Sequence, residues 1–339
     1  MRKPWREQLS RWWAMPVTRA LLAFLLMLAI GCLFNADGAF FRWSVHRDTM
    51  RQVSVYGILA CGMTVVIITA GIDLSVSSLL ALAAVLFAWF TLPHGWPAIL
   101  AIPLVFLAGT VLGSVSGALV AQLGIQPFIV TLAMMVFARG LAKVISGGQK
   151  VTNYVTDTDG STRLIEHPPI YEMIDSRILG GNISIVTIVF LLCVLVTSTV
   201  LAHLRLGRHI YAVGGNKEGA RLSGVPVKRT LIAAYALSGF FSAVAGICQA
   251  AQETHGDPET GMAYELDAIA MVVIGGTTLA GGKGSVVLTL IGVLTIGYLQ
   301  KILSLNAAPE ATRLMLTGAI IICAVWFQRG RKSARSKPK

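Results

Sequence analysis

The sequence predicts an all-α, polytopic membrane protein: a single transmembrane domain of 339 residues with about ten transmembrane helices. Three observations carry that prediction. The chain is 55% hydrophobic and 13% charged, with a mean hydropathy of +0.71, where an average soluble domain is about 25% charged. Apolar runs that approach the ~20 residues needed to cross ~30 Å of hydrocarbon recur along its whole length. The 28 Lys and Arg residues gather in a few loops and tails between those runs. Backbone groups in lipid must be satisfied within their own segment, so the runs are read as helices.

Residues 1–17 are basic and aromatic (Arg2, Lys3, Trp5, Arg6, Arg11, Trp12, Trp13), as expected of a cytoplasmic N-terminal segment at a membrane interface. The apolar run 18–34 imitates a signal peptide, and LAIGC ending at Cys32 imitates a lipoprotein cleavage box. Ala29 stands where that box has leucine and many spans follow, so an uncleaved signal-anchor is expected. The remaining spans fall at 53–70, 77–92, 97–123, 127–145, 183–204, 230–252, 263–281, 285–304 and 311–328. Tight junctions between the second and third, and the eighth and ninth, bound the count between nine and eleven.

Charge sets the orientation. Of the 28 basic residues, 18 lie in 1–19, in 205–229, at Lys283 and in 329–339. Seven lie on the opposite side, in 35–52, 146–181 and at Arg313; eleven of the 16 acids are on that side too, counting Glu253, Asp257, Glu259 and Glu310 outside those segments. Basic residues near span ends are retained in the cytoplasm. Both termini, the basic tail 329–339 and the loop 205–229 are therefore expected inside, and the loop 146–181 outside. The net charge of +12 reads as this retention signal beside a lipid bilayer, not as a nucleic-acid surface. Cys32, Cys61, Cys193, Cys248 and Cys323 stand singly in apolar runs without CxxC spacing, so no metal site, cofactor or disulfide framework is indicated.

Several features interrupt the apolar pattern. Residues 70–78, AGIDLSVSS, carry Asp73 and Ser75 between two spans. A carboxylate at membrane depth is costly and usually faces a cavity or partner; Asp73 equally suits a helix cap, and one residue can do both. In 109–117, GTVLGSVSG, three glycines at spacing four make a flat face for close helix packing. Gln126 and Pro127 open the next span, whose Thr131 is polar, and Arg139 and Lys143 lie near its outer end. Glu265 and Asp267 open the stretch 264–285, which ends in a glycine cluster around Lys283. Lys283 is followed by Gly284, not Ser or Thr, and no soluble βα unit surrounds it, so ATP binding by this chain is rejected. The six histidines fall singly in loops or at span ends, so no catalytic set stands out.

The loop 205–229 is the stretch around which the chain is organised. It carries six Lys/Arg against the single acid Glu218, and four glycines punctuate a segment, 216–223, able to form two turns of helix. Two flanking spans would present that helix to the cytoplasm as a handle for a partner.

The four ordered stretches GIDLSV (71–76), QPFIVTLAMMVFARG (126–140), GGNKEGARLSGV (214–225) and YELDAIAMVVIGGTTLAGGKGS (264–285) resemble the membrane permeases of bacterial ABC sugar importers of the ribose/xylose/galactose class. The resemblance runs from about residue 50 to 328. It implies a non-enzymatic inner-membrane subunit that moves a pentose or hexose. The implied partners are a cytoplasmic ATP-binding subunit, a periplasmic sugar-binding protein and a second permease subunit. It assigns ATPase coupling to Gly215, Asn216, Lys217, Ala220, Arg221, Leu222, Ser223 and Gly224. A sugar presents only hydroxyls, so the passage is expected to be hydrated and weakly polar, with Asp73, Ser75, Gln126, Thr131, Glu265 and Asp267 along it. Spans 2–5 and 7–10 are candidates for an inverted repeat, as in other transporters. The competing reading is an ion-coupled secondary transporter, with Asp73, Glu265 and Asp267 as ion ligands; it would not require the 214–224 handle.

Overall fold

The apolar runs fold where composition places them. The structure, a computed structural model, describes residues 16–156, 161–309, 311–316, 318, 319 and 322. Residues 1–15, the tail 329–339 and half of the tenth expected span lie outside the described residues; of that span, 311–316, 318, 319 and 322 are helical.

Helix α1 (Pro16–Leu33) is followed by a 3₁₀ turn (Ala39–Phe41), α2 (Trp43–Ile68), α3 (Val76–Thr91), α4 (Ala98–Gln122) and α5 (Pro127–Ser146). Proline is harmless at the first position of α5, where no intrahelical partner exists for an N–H, and Gly147 at φ 63° ends that helix. Then come two short hairpins, β1 (Tyr154–Thr156) with β2 (Thr162–Leu164) and β3 (Arg177–Ile178) with β4 (Ile183–Ser184), and between them α6 (Pro169–Asp175). The second half holds α7 (Ile185–His203), α8 (Arg205–Gly215), α9 (Lys217–Leu222), α10 (Val227–Glu253), α11 (Tyr264–Ile274) and α12 (Val286–Leu305). Among the described residues six helices, α2, α4, α5, α7, α10 and α12, are long and apolar enough to cross a membrane; α1 and α3 are shorter apolar helices. The end carrying residues 147–184 is called upper below, and the end carrying α8 and α9 lower.

Helix α10 is the hub, packing on α2, α3 and α4. Its contact with α4 runs backbone to backbone: a Cβ on Gly113 would lie 2.3 Å from the Tyr235 carbonyl oxygen, and one on Gly239 2.1 Å from that of Gly109. The glycine stripe of α4 is thus a packing face. Polar side chains inside the bundle return their hydroxyls to the preceding turn, as Thr64 does to Ala60 O at 2.6 Å, or meet across helices, as Thr64 and Thr289 do at 2.8 Å.

Two expectations need correction. The span 263–281 is helical only to Ile274. Gly275 and Gly276 stop α11, and the glycine segment after it runs irregularly down to α2, where Gly282 N–H donates to Ile68 O at 2.8 Å. Glycine supplies the positive φ this path needs at Gly276, Gly281 and Gly282. The loop 205–229, in turn, holds two helices rather than one. Residues 217–222 form the expected short helix, but Arg205–Gly215 forms another, with Ile210 and Val213 buried against the bundle.

Upper-end charges pin the loops to one another. Arg139 Nη1 donates to Pro258 O (2.7 Å) and Thr260 O (2.9 Å), Lys143 pairs with Glu259 (2.9 Å), and Lys150 with Asp257 (3.2 Å). Arg139 and Lys143 therefore serve the 254–263 turn. Burial raises the Asp257 carboxyl, but the Glu259 N–H and the Lys150 ammonium outweigh it and hold the group below its ordinary value.

Candidate functional site

The upper cavity follows from the shortness of α11. Gly292 of α12 lies against Met271 O, and Gly275 against Leu288 and Thr289, so the two helices run side by side in opposite directions. An 11-residue helix is ~16 Å long and a 20-residue one ~30 Å. Helix α11 therefore starts well below the upper end of α12, and a cavity of about 380 Å³ opens above it. That volume is at the lower end of the ~300–1,000 Å³ typical of small-molecule sites.

Its lining is polar. Gln52 and Tyr56 come from α2, Gln249, Gln252 and Glu253 from α10, Tyr264 from α11, and Gln300 and Lys301 from α12. Val53 is the one branched aliphatic side chain among the described lining residues. The Tyr56 and Tyr264 rings sit 4.2 Å apart, tilted by 36°. Gln249 Nε2 donates to Glu253 Oε1 at 2.7 Å, and Gln252 Nε2 to Arg51 O at 3.4 Å. Asp267, one turn into α11, directs its carboxyl toward Gln300, while Glu265 keeps a buried oxygen without a hydrogen-bond partner.

A second polar cluster lies at the lower end. Asp73 is fully buried between α2 and α3, and its Oδ1 accepts from Ser75 N–H at 3.0 Å and Ser75 Oγ–H at 2.5 Å. Ser75, not Asp73, is the cap residue of α3; Asp73 closes a turn onto it from two residues ahead. Its Oδ2, the Tyr235 hydroxyl and Ser238 Oγ have no hydrogen-bond partner, and both α10 side chains lie near enough to interact with the carboxyl. Thr131 Oγ1 donates to Ile72 O at 3.2 Å and Pro127 O at 3.0 Å, tying the first turn of α5 to the same segment. Gln126 does not join the cluster; it is exposed where α5 begins.

The lower surface carries α8 and α9. Asn216, in extended conformation, separates them and caps α9 by accepting from Gly219 N–H at 2.9 Å. Of the residues expected to couple to an ATPase only Ala220 is buried; Gly215, Asn216, Lys217, Arg221, Leu222, Ser223 and Gly224 are exposed. Leu222 is 77% exposed, an apolar side chain at the tip of a charged helix. Arg221 donates to Glu218 at 2.5 Å, and the hydrogen bond holds the Glu218 carboxyl below its ordinary value. Helix α8 is built into the bundle: Gly214 is buried against Ile68 O and Gly282, and Tyr211 donates to Gly284 O at 2.9 Å. Burial raises the Tyr211 phenol.

The six residues expected along the passage thus separate into a lower group (Asp73, Ser75, Thr131), an upper group (Glu265, Asp267) and the outlying Gln126. Sequence reasoning missed the cavity glutamines and the Tyr235–Ser238 pair facing Asp73. Gln249 and Gln252, three apart at the end of a span, were the available signal for the first. No group of His, Cys, Asp and Glu able to hold a metal ion occurs among the described residues.

Comparison with known proteins accords with this architecture. The sequence model of the family described as "branched-chain amino acid transport system / permease component" matches residues 47–325. The ribose import permease protein RbsC of Haemophilus influenzae is 38% identical over 310 residues, covering 91% of each chain. That of Escherichia coli K12 is 36% identical over 322 residues, covering 94% of this chain and 95% of its own. The fructose import permease protein FruF of Bifidobacterium longum is 37% identical over 319 residues, covering 91% and 86%. No solved structure matches the chain. A membrane-spanning helical bundle matched over most of its length by this family model and end to end by import permeases belongs to that family of transport-system permease components.

Proposed function

We propose that this chain is the permease subunit of a bacterial ABC importer, embedded in the inner membrane, and that it carries a monosaccharide. The observation that carries the reading is the end-to-end match to ribose and fructose import permeases. The polar cavity supports sugar over a branched-chain amino acid, whose side chain would need an apolar pocket. In this reading a cytoplasmic ATPase docks on 214–224, a periplasmic binding protein delivers the sugar, and a second permease chain completes the pathway. Asp73, Ser75, Thr131, Glu265 and Asp267 line the hydrated route, and both termini face the cytoplasm. The chain itself hydrolyses nothing.

Ten crossings belong to the same proposal: the six long helices, the shorter α1, α3 and α11, and a last one beginning at 311. An inverted repeat is supported by form, since a long, largely buried helix followed by a short one opens each half, α2 with α3 and α10 with α11. Partner ATPases would move α9 as a lever. Because α8 is packed on Ile68 and the glycine segment, that motion would reach α2 and α11 directly.

The test is uptake of labelled D-ribose and D-fructose by proteoliposomes containing the chain, its ATPase and its binding protein, with and without an imposed ion gradient. Uptake is expected to require ATP and ignore the gradient. Asp73→Asn keeps the Oδ1 acceptor for Ser75, so it should retain uptake at a modestly reduced rate. Gradient-driven uptake by the chain alone, abolished in Asp73→Asn, would reject the proposal in favour of an ion-coupled carrier.

A further inference from the structure

The upper cavity has the chemistry of a sugar site contained in one chain. Resting on the sugar reading above, we infer that it is a low-affinity monosaccharide subsite, in which Gln249, Gln252 and Gln300 bind hydroxyls and the Tyr56–Tyr264 pair forms the face beneath the ring. Each glutamine amide offers two donors and an acceptor, which matches neighbouring hydroxyls that both give and take hydrogen bonds. Glu253 adds a strong acceptor and is held in place by Gln249. The two tyrosine rings are stacked on one another, 4.2 Å apart and tilted by 36°, and both line the cavity, so an outer face of the stack is the surface on which the C–H face of a sugar ring can rest.

Depth argues the same way. Because α11 begins beneath the cavity, a sugar seated there has already entered the bundle and stands over Asp267 and Gln300. The lining is polar and partly open, so the site holds its occupant weakly, as a stop on a pathway must. A tight site here would compete with onward transport.

Ser304 lines the cavity and is close in size to cysteine, so Ser304→Cys makes a reporter that leaves the glutamines intact. The full chain is purified with Ser304→Cys and with Cys32 and Cys323 replaced by serine, and labelled with a polar maleimide at increasing D-ribose or D-fructose, or with L-leucine. Labelling is expected to slow as 1 + [sugar]/Kd, about tenfold at ten times the half-protection concentration, and to ignore leucine. Cysteine at Met262, 67% exposed and outside the cavity, should label at one rate throughout. Adding Gln300→Ala should raise the half-protection concentration about tenfold, the worth of one hydrogen bond.

Unchanged labelling of Ser304→Cys by a sugar that the assembled importer takes up would overturn the subsite and leave the sugar reading standing. An importer that takes up leucine and neither sugar would overturn the sugar reading itself.

Discussion

Replacing Gly214 by alanine tests whether α8 transmits force through its contact with the bundle. A Cβ there would lie 1.7 Å from Ile68 O and 2.7 Å from Gly282 N. Ordinary contact begins near 3.4 Å, so α8 would have to withdraw by the difference from 1.7 Å, again about 1.7 Å, or the carbonyl would have to turn aside. Turning the carbonyl breaks its 2.8 Å hydrogen bond from Gly282 N–H, and withdrawing α8 gives up its contact with α2 and the glycine segment. Leaving a buried amide unpaired costs about 1–3 kcal/mol, and overpacking adds about 1–3. A middle value of about 3 kcal/mol shifts the seated population by a factor of roughly a hundred. Gly140→Ala is the control, because a Cβ there meets nothing within 4 Å and Gly140 lies outside the coupling segment. The assay is sugar taken up per ATP hydrolysed by the assembled importer, with chain melting followed in parallel. Gly214→Ala should hydrolyse ATP with uptake reduced about a hundredfold, and Gly140→Ala should behave as the unmodified chain. Full uptake by a folded Gly214→Ala variant, or equal damage from Gly140→Ala, would refute the reasoning.

Two further outcomes are expected. The Asp257 carboxyl titrates below its ordinary value, so its contribution to stability is complete above the unfolded pKa of about 3.9 and is lost as pH falls through the lower folded value. Asp257→Asn should lower the melting temperature at pH 7 by an amount equivalent to about 1 kcal/mol or less, since the Lys150 pair is partly solvent-screened; the difference should vanish at the acid end of the titration, and a difference independent of pH would remove the ion pair from the account. In cells carrying Cys32→Ser, cysteine at exposed Glu166 should react with an impermeant thiol reagent and cysteine at Lys217 should not; the opposite pattern would invert the orientation.

Helix positions were legible because apolar runs and helices coincide in a bilayer: the expected span 127–145 is Pro127–Ser146, and 285–304 is Val286–Leu305. Asp73 was conspicuous for the same reason, a carboxylate amid apolar sequence. Helix α8 was hidden by its charge, although Leu206, Ile210 and Val213 repeat at intervals of four and three and mark one helical face. The early end of α11 was hidden by average hydropathy over 263–281, which continues past Ile274 while Gly275 and Gly276 stop the helix. The cavity could not be read locally. Gln52, Gln252 and Gln300 look like ordinary polar residues near span ends until α2, α10 and α12 bring them together. The same holds for Tyr235 and Ser238, which reach Asp73 only through the packing of α10.

The close seam between α4 and α10 bears on how the chain is made. Gly113 and Gly239 are 126 positions apart in the chain, so α4 emerges long before the helix it is shaped to meet. At synthesis rates of about 5–20 residues per second, α4 waits roughly 6–25 seconds with its glycine face uncovered in the membrane. Small-residue faces of this kind associate with one another in lipid. During that interval the competing partner is the same helix on a neighbouring nascent chain. Correct assembly therefore depends on how densely ribosomes load the message as well as on the final fit of the two helices.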